Sequence, residues 1–135
     1  MLTRVDPGPA VVVCNTCRHS RSAQVDGEGV RGGARLVAAL NEIKAGEPRY
    51  AGIAVQEMAC LFACQDHITV HLRAPGKVGY VLGRFTGDAA SARAILEYAV
   101  HYAASEHGRV AFSLWPDGIK GHFITRTPPP GYIAE

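Results

Sequence analysis

The chain has 135 residues, 47% of them hydrophobic, with a formal net charge of +2. That length is expected to make a single domain, spanning residues 1–135, with enough apolar material to bury a core. The small charge, with Lys and Arg scattered along the chain, gives no footprint for nucleic acid. No apolar run approaches the roughly 20 residues of a membrane helix. The start, Met-Leu-Thr-Arg-Val-Asp-Pro-Gly-Pro, lacks the long apolar stretch of a signal peptide. The expectation is a cytoplasmic protein, where paired cysteines point to metal or redox chemistry rather than to disulfide scaffolding.

Residues 1–9 form a lead-in punctuated by Pro and Gly. Ala10-Val-Val-Val-Cys14 is β-branched and continuous, which suits a strand buried on both faces. Residues 18–29 are polar with two glycines and read as a loop. Leu36, Val37, Leu40 and Ile43 recur at helical spacing and predict a helix over residues 30–45, with Gly46 to cap it and Pro48 to stop it resuming. Ile53 and Val55 begin a second strand that runs toward Cys60. A hairpin follows. Ile68, Val70 and Leu72 alternate with His67, Thr69, His71 and Arg73, which puts the second set on a polar face. After the Ala74-Pro75-Gly76 turn, Val78, Tyr80 and Leu82 alternate again. Asp88 reads as the N-cap of an Ala-rich helix that ends near Gly108, with Ala92, Ile95, Ala99, Tyr102 and Ala103 as its apolar stripe. Val110–Trp115 reads as a short strand, and residues 116–135 as an irregular, Pro-rich tail.

The order β-α-β-β-β-α is the core of an α/β, thioredoxin-like fold with a mixed four-stranded sheet. A ferredoxin-like βαββαβ sandwich is the competitor and requires residues 110–115 as an inner strand. If the first two strands are parallel neighbours joined by the first helix, both cysteine pairs lie beyond the carboxyl edge of the sheet, where open α/β sheets place their ligands.

Cys14, Cys17, Cys60 and Cys64 are the only four cysteines, in two close pairs separated by residues 18–59. Buried structural thiols are the plain reading. Cys17 argues against it, since it sits in the polar stretch Asn-Thr-Cys-Arg-His-Ser. A thioredoxin-type dithiol requires Cys14–Cys17 to open a helix, and it leaves Cys60 and Cys64 without a role. Structural zinc and a [2Fe–2S] cluster both take four thiolates. Zinc sites usually compensate for a small core, which this chain does not need. Leu61 and Phe62, between the second pair, either shield the sulfurs or belong to the core. Cys17-Arg-His19 and Cys64-Gln-Asp-His67 mimic the halves of a Rieske site, but they are too far apart and leave two cysteines spare. His67 and His71 read as ordinary polar-face residues, and His101, His107 and His122 as solvent-exposed. Paired carboxylates, a Ser-His-Asp set and a phosphate-binding Gly loop are all absent, so nothing points to catalysis by side chains.

Val-Val-Val-Cys-Asn-Thr-Cys-Arg, Cys-Leu-Phe-Ala-Cys with the following Ile-Thr-Val-His-Leu, and Gly-Lys-Val-Gly-Tyr-Val-Leu-Gly together resemble a known family. It comprises predicted metal-binding proteins of unknown function related to thioredoxin-like [2Fe–2S] ferredoxins. The likeness runs from about Val11 through the second helix and weakly into the Pro-rich tail. It implies a thioredoxin-like fold, Cys14, Cys17, Cys60 and Cys64 as ligands of a [2Fe–2S] cluster, electron transfer, and often a homodimer. It also implies a bacterial setting, in some members beside cobalamin-biosynthesis genes. The better-known thioredoxin-like ferredoxins have a longer gap between the first two cysteines, and the Cys-x-x-Cys here fits the less-studied branch.

The resulting expectation is a small soluble electron-transfer protein rather than an enzyme, reduced by a redox partner such as a flavin reductase. That partner would dock at a patch formed by Arg18, Arg21 and Leu61. The alternatives are a Cys₄ zinc-binding interaction module and a thiol-disulfide oxidoreductase.

Overall fold

The computed structural model describes residues 1–134; Glu135, the end of the Pro-rich stretch, lies outside the described residues. The chain runs β1 (Ala10–Cys14), α1 (Gly32–Ala45), β2 (Ala54–Met58), β3 (Val70–Arg73), β4 (Gly79–Leu82), α2 (Ala89–Ala104) and β5 (Phe123–Thr127), with short 3₁₀ turns between. The strands form one mixed sheet in the order β2-β1-β3-β4-β5. β1 and β2 are parallel, with Ala10 beside Ala54 and Cys14 beside Met58. The other neighbouring pairs are antiparallel. The fold is thioredoxin-like, and the sheet has five strands where the sequence predicts four.

α1 and α2 pack against each other over one face of the sheet. Val11 and Val13 of β1, Val70 and Leu72 of β3 and Leu82 of β4 are buried with Leu36, Leu40, Ile95, Leu96 and Ala99 from the helices. Each such branched side chain contributes about 1.5–3 kcal/mol by burial. The helical spacing therefore selects the correct face of α1, but the helix starts at Gly32 rather than Val30. The reason is local. The Asp26 carboxylate accepts the N–H groups of Glu28 and Val30 at 2.9 and 3.0 Å, and Val25 bridges Arg31 in antiparallel fashion. These bonds hold residues 26–31 out of the helix.

Asp88 caps α2 as expected, accepting Ser91 N–H at 3.0 Å. The helix ends at Ala104, and Gly108 lies beyond it in the left-handed region, where a Cβ would press on the Val78 backbone. Tyr98 and Tyr102 of α2 meet Tyr80 of β4 edge-on, and Phe123 of β5 joins them, 5.4 Å from Tyr80 and 5.5 Å from Tyr98 between ring centroids.

The structure corrects three sequence expectations. Residues 110–115 are not a strand. Val110 is buried and Trp115 is tied back to it, Nε1 donating to the Val110 carbonyl at 2.9 Å, so the four residues between them turn outward as a 3₁₀ loop. The ferredoxin-like sandwich loses its inner strand with them. The stretch read as an irregular tail instead contains β5, which pairs with β4 from Gly79↔Thr127 to Leu82↔Phe123 through a bulge. His122 is not exposed either; it stacks on Phe85 at 4.4 Å and its Nδ1 meets the Gly83 carbonyl at 2.8 Å.

Candidate metal centre

The parallel β1–β2 pair sets the site. Cys14 is the last residue of β1, and β2 ends at Met58, just short of Cys60, so both cysteine pairs leave the sheet at the same carboxyl edge. The ladder continues into the first pair: Cys14 N–H donates to the Thr69 carbonyl at 3.0 Å and Asn15 N–H to the Met58 carbonyl at 3.1 Å. Cys17 N–H then closes a turn onto the Cys14 carbonyl at 3.3 Å. The start of α1 presses on this turn. Gly33 N–H donates to the Cys17 carbonyl at 3.2 Å, and Arg31 Nη1 to the Thr16 carbonyl at 3.0 Å. That close approach requires the Gly32-Gly33 pair, because a Cβ on Gly33 would overlap the Cys14 carbonyl and one on Gly32 the Arg18 carbonyl.

The second pair lies on a loop with an unusual backbone. Cys60 (φ 74°) and Phe62 (φ 60°) both occupy the left-handed region, at a cost of about 1–3 kcal/mol for each non-glycine residue. The shape turns an amide toward sulfur, and Phe62 N–H donates to Cys60 Sγ at 3.3 Å. Leu61 and Phe62 part ways: Leu61 packs against the core, while Phe62 is 95% exposed. Cys64, exposed, opens the 3₁₀ turn Cys64–Asp66. Arg84 anchors the end of that turn, its Nη1 meeting Asp66 Oδ1 at 2.8 Å and its N–H the Asp66 carbonyl at 2.9 Å. The following His67–Ile68 peptide is cis.

The sulfur surroundings differ. Cys14 is 2% exposed and Cys17 5%. Burial pushes the Cys14 thiol up, but hydrogen bonding with Cys17, the backbone of Leu61, Thr16 and the backbone of Cys60 outweigh it and hold the thiol below its ordinary value. Burial, reinforced by the neighbouring Cys14, pushes Cys17 up against the lowering hydrogen bonds of Thr69. In the first pair Cys14 therefore ionises ahead of Cys17. Cys64 is raised, first by its hydrogen bond with Cys60 and then by the charge of Cys60; the charge of Cys14 also reaches it.

Thr69 is the residue the sequence misplaces. Period-two alternation puts it on a polar strand face, yet it is 0% exposed, with its hydroxyl 3.3 Å and its N–H 3.4 Å from Cys17 Sγ. No sequence signal marks it, because the turn that covers it comes from residues 14–17. His71 on the same face is half-buried, with its Nε2 shut off and unpartnered, although the alternation gives an ordinary polar-face residue. Arg18 is half-buried while Arg21 is exposed, and of the two predicted histidines near the cysteines His19 is exposed and His67 half-buried.

The donor chemistry suits a thiophilic metal or an iron–sulfur cluster: four free thiols leave one sheet edge, with N–H groups turned toward the Cys17 and Cys60 sulfurs. The thiols stand as two pairs rather than as one closed cage. Among the described residues, no group of three or more Cys, His, Asp and Glu side chains stands at metal-holding spacing.

A thioredoxin-like scaffold with cysteine pairs at its carboxyl edge defines the structural class. A thioredoxin-like [2Fe-2S] ferredoxin from Aquifex aeolicus superposes with a TM-score of 0.57, over 95% of this chain and 100% of that one, at 16% identity. At that identity the likeness is one of fold. The chain belongs to the family described as "Protein of unknown function (DUF1636)", which matches residues 11–129. No curated protein matches it. Among the described residues, no helix is long and apolar enough to cross a membrane.

Proposed function

We propose that this chain is a one-electron carrier that holds a [2Fe–2S] cluster through Cys14, Cys17, Cys60 and Cys64. The observation that carries the reading is that both cysteine pairs leave the sheet at the same carboxyl edge of the parallel β1–β2 pair, with all four thiols free. Sulfurs approached by N–H groups are prepared to be anionic ligands. The bound group would supply a site for one electron, entering from a reduced donor such as a flavin reductase and leaving to an oxidised acceptor, with no bond made or broken. The chain's part is to fix the sulfurs, cover them from the core side with Leu61, and leave the outer edge open to partners. Cys60 and Cys64 would have to close in on the first pair to complete the ligand set. Service to a cobalamin-pathway enzyme and a homodimer belong to the same proposal and rest on the family resemblance; a cytoplasmic setting, expected from the sequence itself, belongs to it too.

Two observations favour this over thiol–disulfide exchange. The thiol held low is Cys14, which is buried, whereas the exposed Cys64 is held high. In addition, no helix opens at Cys17, since α1 begins only at Gly32. Anaerobic loading with iron and sulfide tests the proposal. The expected product is red-brown, carries about two irons per chain and gives an electron paramagnetic resonance signal on one-electron reduction. A colourless protein holding one zinc would replace the carrier with a Cys₄ zinc module. A metal-free protein that reduces insulin disulfides would replace it with a thiol oxidoreductase.

A further inference from the structure

Among the described residues, Thr69 is the only polar residue that is fully buried, and both of its donors point at the candidate centre. Its carbonyl accepts the Cys14 N–H at 3.0 Å, while its N–H and hydroxyl lie 3.4 and 3.3 Å from Cys17 Sγ. No other sulfur among the described residues has hydrogen bonds from both the backbone and the side chain of one residue. Packing alone does not explain the hydroxyl. Val has nearly the same shape and the same preference for extended backbone, and a buried hydroxyl is costly unless it is hydrogen-bonded. The direction of the bond follows from ligation: a thiolate ligand has no proton, so Thr69 must donate. Hydrogen bonds to a ligand sulfur stabilise the more negative state of the centre.

We propose that Thr69 is a positioning residue for the redox centre. Its hydroxyl fixes the orientation of Cys17 as a ligand and favours the reduced state, raising the midpoint potential. This deepens the cluster reading and rests on it. The test compares cluster-loaded parent, Thr69→Val and Thr69→Ser by redox titration and by the rate at which a chelator removes iron. Thr69→Val is expected to show a lower midpoint and iron loss faster by about tenfold, the scale of one hydrogen bond to a charged group. Thr69→Ser, which keeps the hydroxyl, is expected to match the parent in both. If Thr69→Val does not fold, Thr69→Ala read against Thr69→Ser gives the same comparison. The proposal is overturned if removing the hydroxyl leaves the midpoint unchanged, or if Thr69→Ser falls as far as Thr69→Val, which would make the role one of packing. A parent that takes up no cluster overturns the carrier reading itself, and this proposal with it.

Discussion

Gly33 has no side chain because the Cys14 carbonyl already occupies the space where a Cβ would go. Neither neighbour can yield: one is strand backbone, the other the first turn of α1. Gly33→Ala is therefore expected to destabilise the fold by about 3 kcal/mol, the upper range for overpacking, and to spoil the Cys14–Cys17 turn. Gly52→Ala, which meets nothing within 4 Å, is the control and should be neutral; equal melting curves for the two variants would refute the close-packing argument. The cysteines make a second residue-scale prediction. Cys14→Ala, Cys60→Ala and Cys64→Ala should each abolish cluster binding, since no spare cysteine remains. Cys17→Ser should keep a weakened cluster through oxygen. Iron uptake like the parent's in any of the three alanine variants would break the ligand set. These cysteines are legible in sequence because their pairing is local and unusual. Thr69 and Gly33 are not, because each takes its meaning from a segment remote in the chain.

Elements with a strong burial period are equally legible. β1, the β3–β4 pair, α2 and the buried face of α1 follow from the spacing of their apolar residues, and a hairpin or a capped helix needs only neighbours in sequence. β5 is different. It is an edge strand with half-exposed side chains on both faces, so no period-two burial announces it. The apolar run at 110–115 errs the other way: its apolar residues anchor only the ends. The loop between Cys17 and α1 is held by Asp26, whose carboxyl is drawn down to about 2 by the Val30 amide first, then by Arg35 and the Glu28 amide. A carboxylate with a lowered folded pKa adds stability above its ordinary value of 3.8, and that stability is lost as pH falls toward 2. Asp26→Asn should accordingly raise hydrogen exchange at the Glu28 and Val30 amides at neutral pH while leaving β1 and β3 unchanged. In the parent, the same loosening should appear only at strongly acid pH. Unchanged exchange in the variant would show that the loop is held by other contacts.

On the scale of the whole molecule, the proposed carrier role makes the cysteine edge the place where a redox partner would have to come close. Phe62 projects there almost fully exposed, with Arg21 exposed nearby in the chain after Cys17. Redox encounters are typically small, often under ~1,200 Å², so charge steering should govern their rate. Reversing Arg18 and Arg21 to Glu is expected to slow reduction by a reduced donor protein at low salt and to matter much less at high salt. Stopped-flow rates indifferent to both would place the docking face elsewhere. The opposite edge of the sheet has a consequence for how the protein is made. β5 leaves the ribosome after every strand it joins, and until then β4 offers an unpaired edge beside Tyr80, Tyr98 and Trp115, which Phe123 later covers. A chain cut after Lys120 keeps all four cysteines but not this cover, and it should partition into the insoluble fraction on expression, where the full chain does not. Translation thus completes the thiols well before it completes the sheet. A cell short of chaperones should lose this protein as aggregate, even with iron in ample supply.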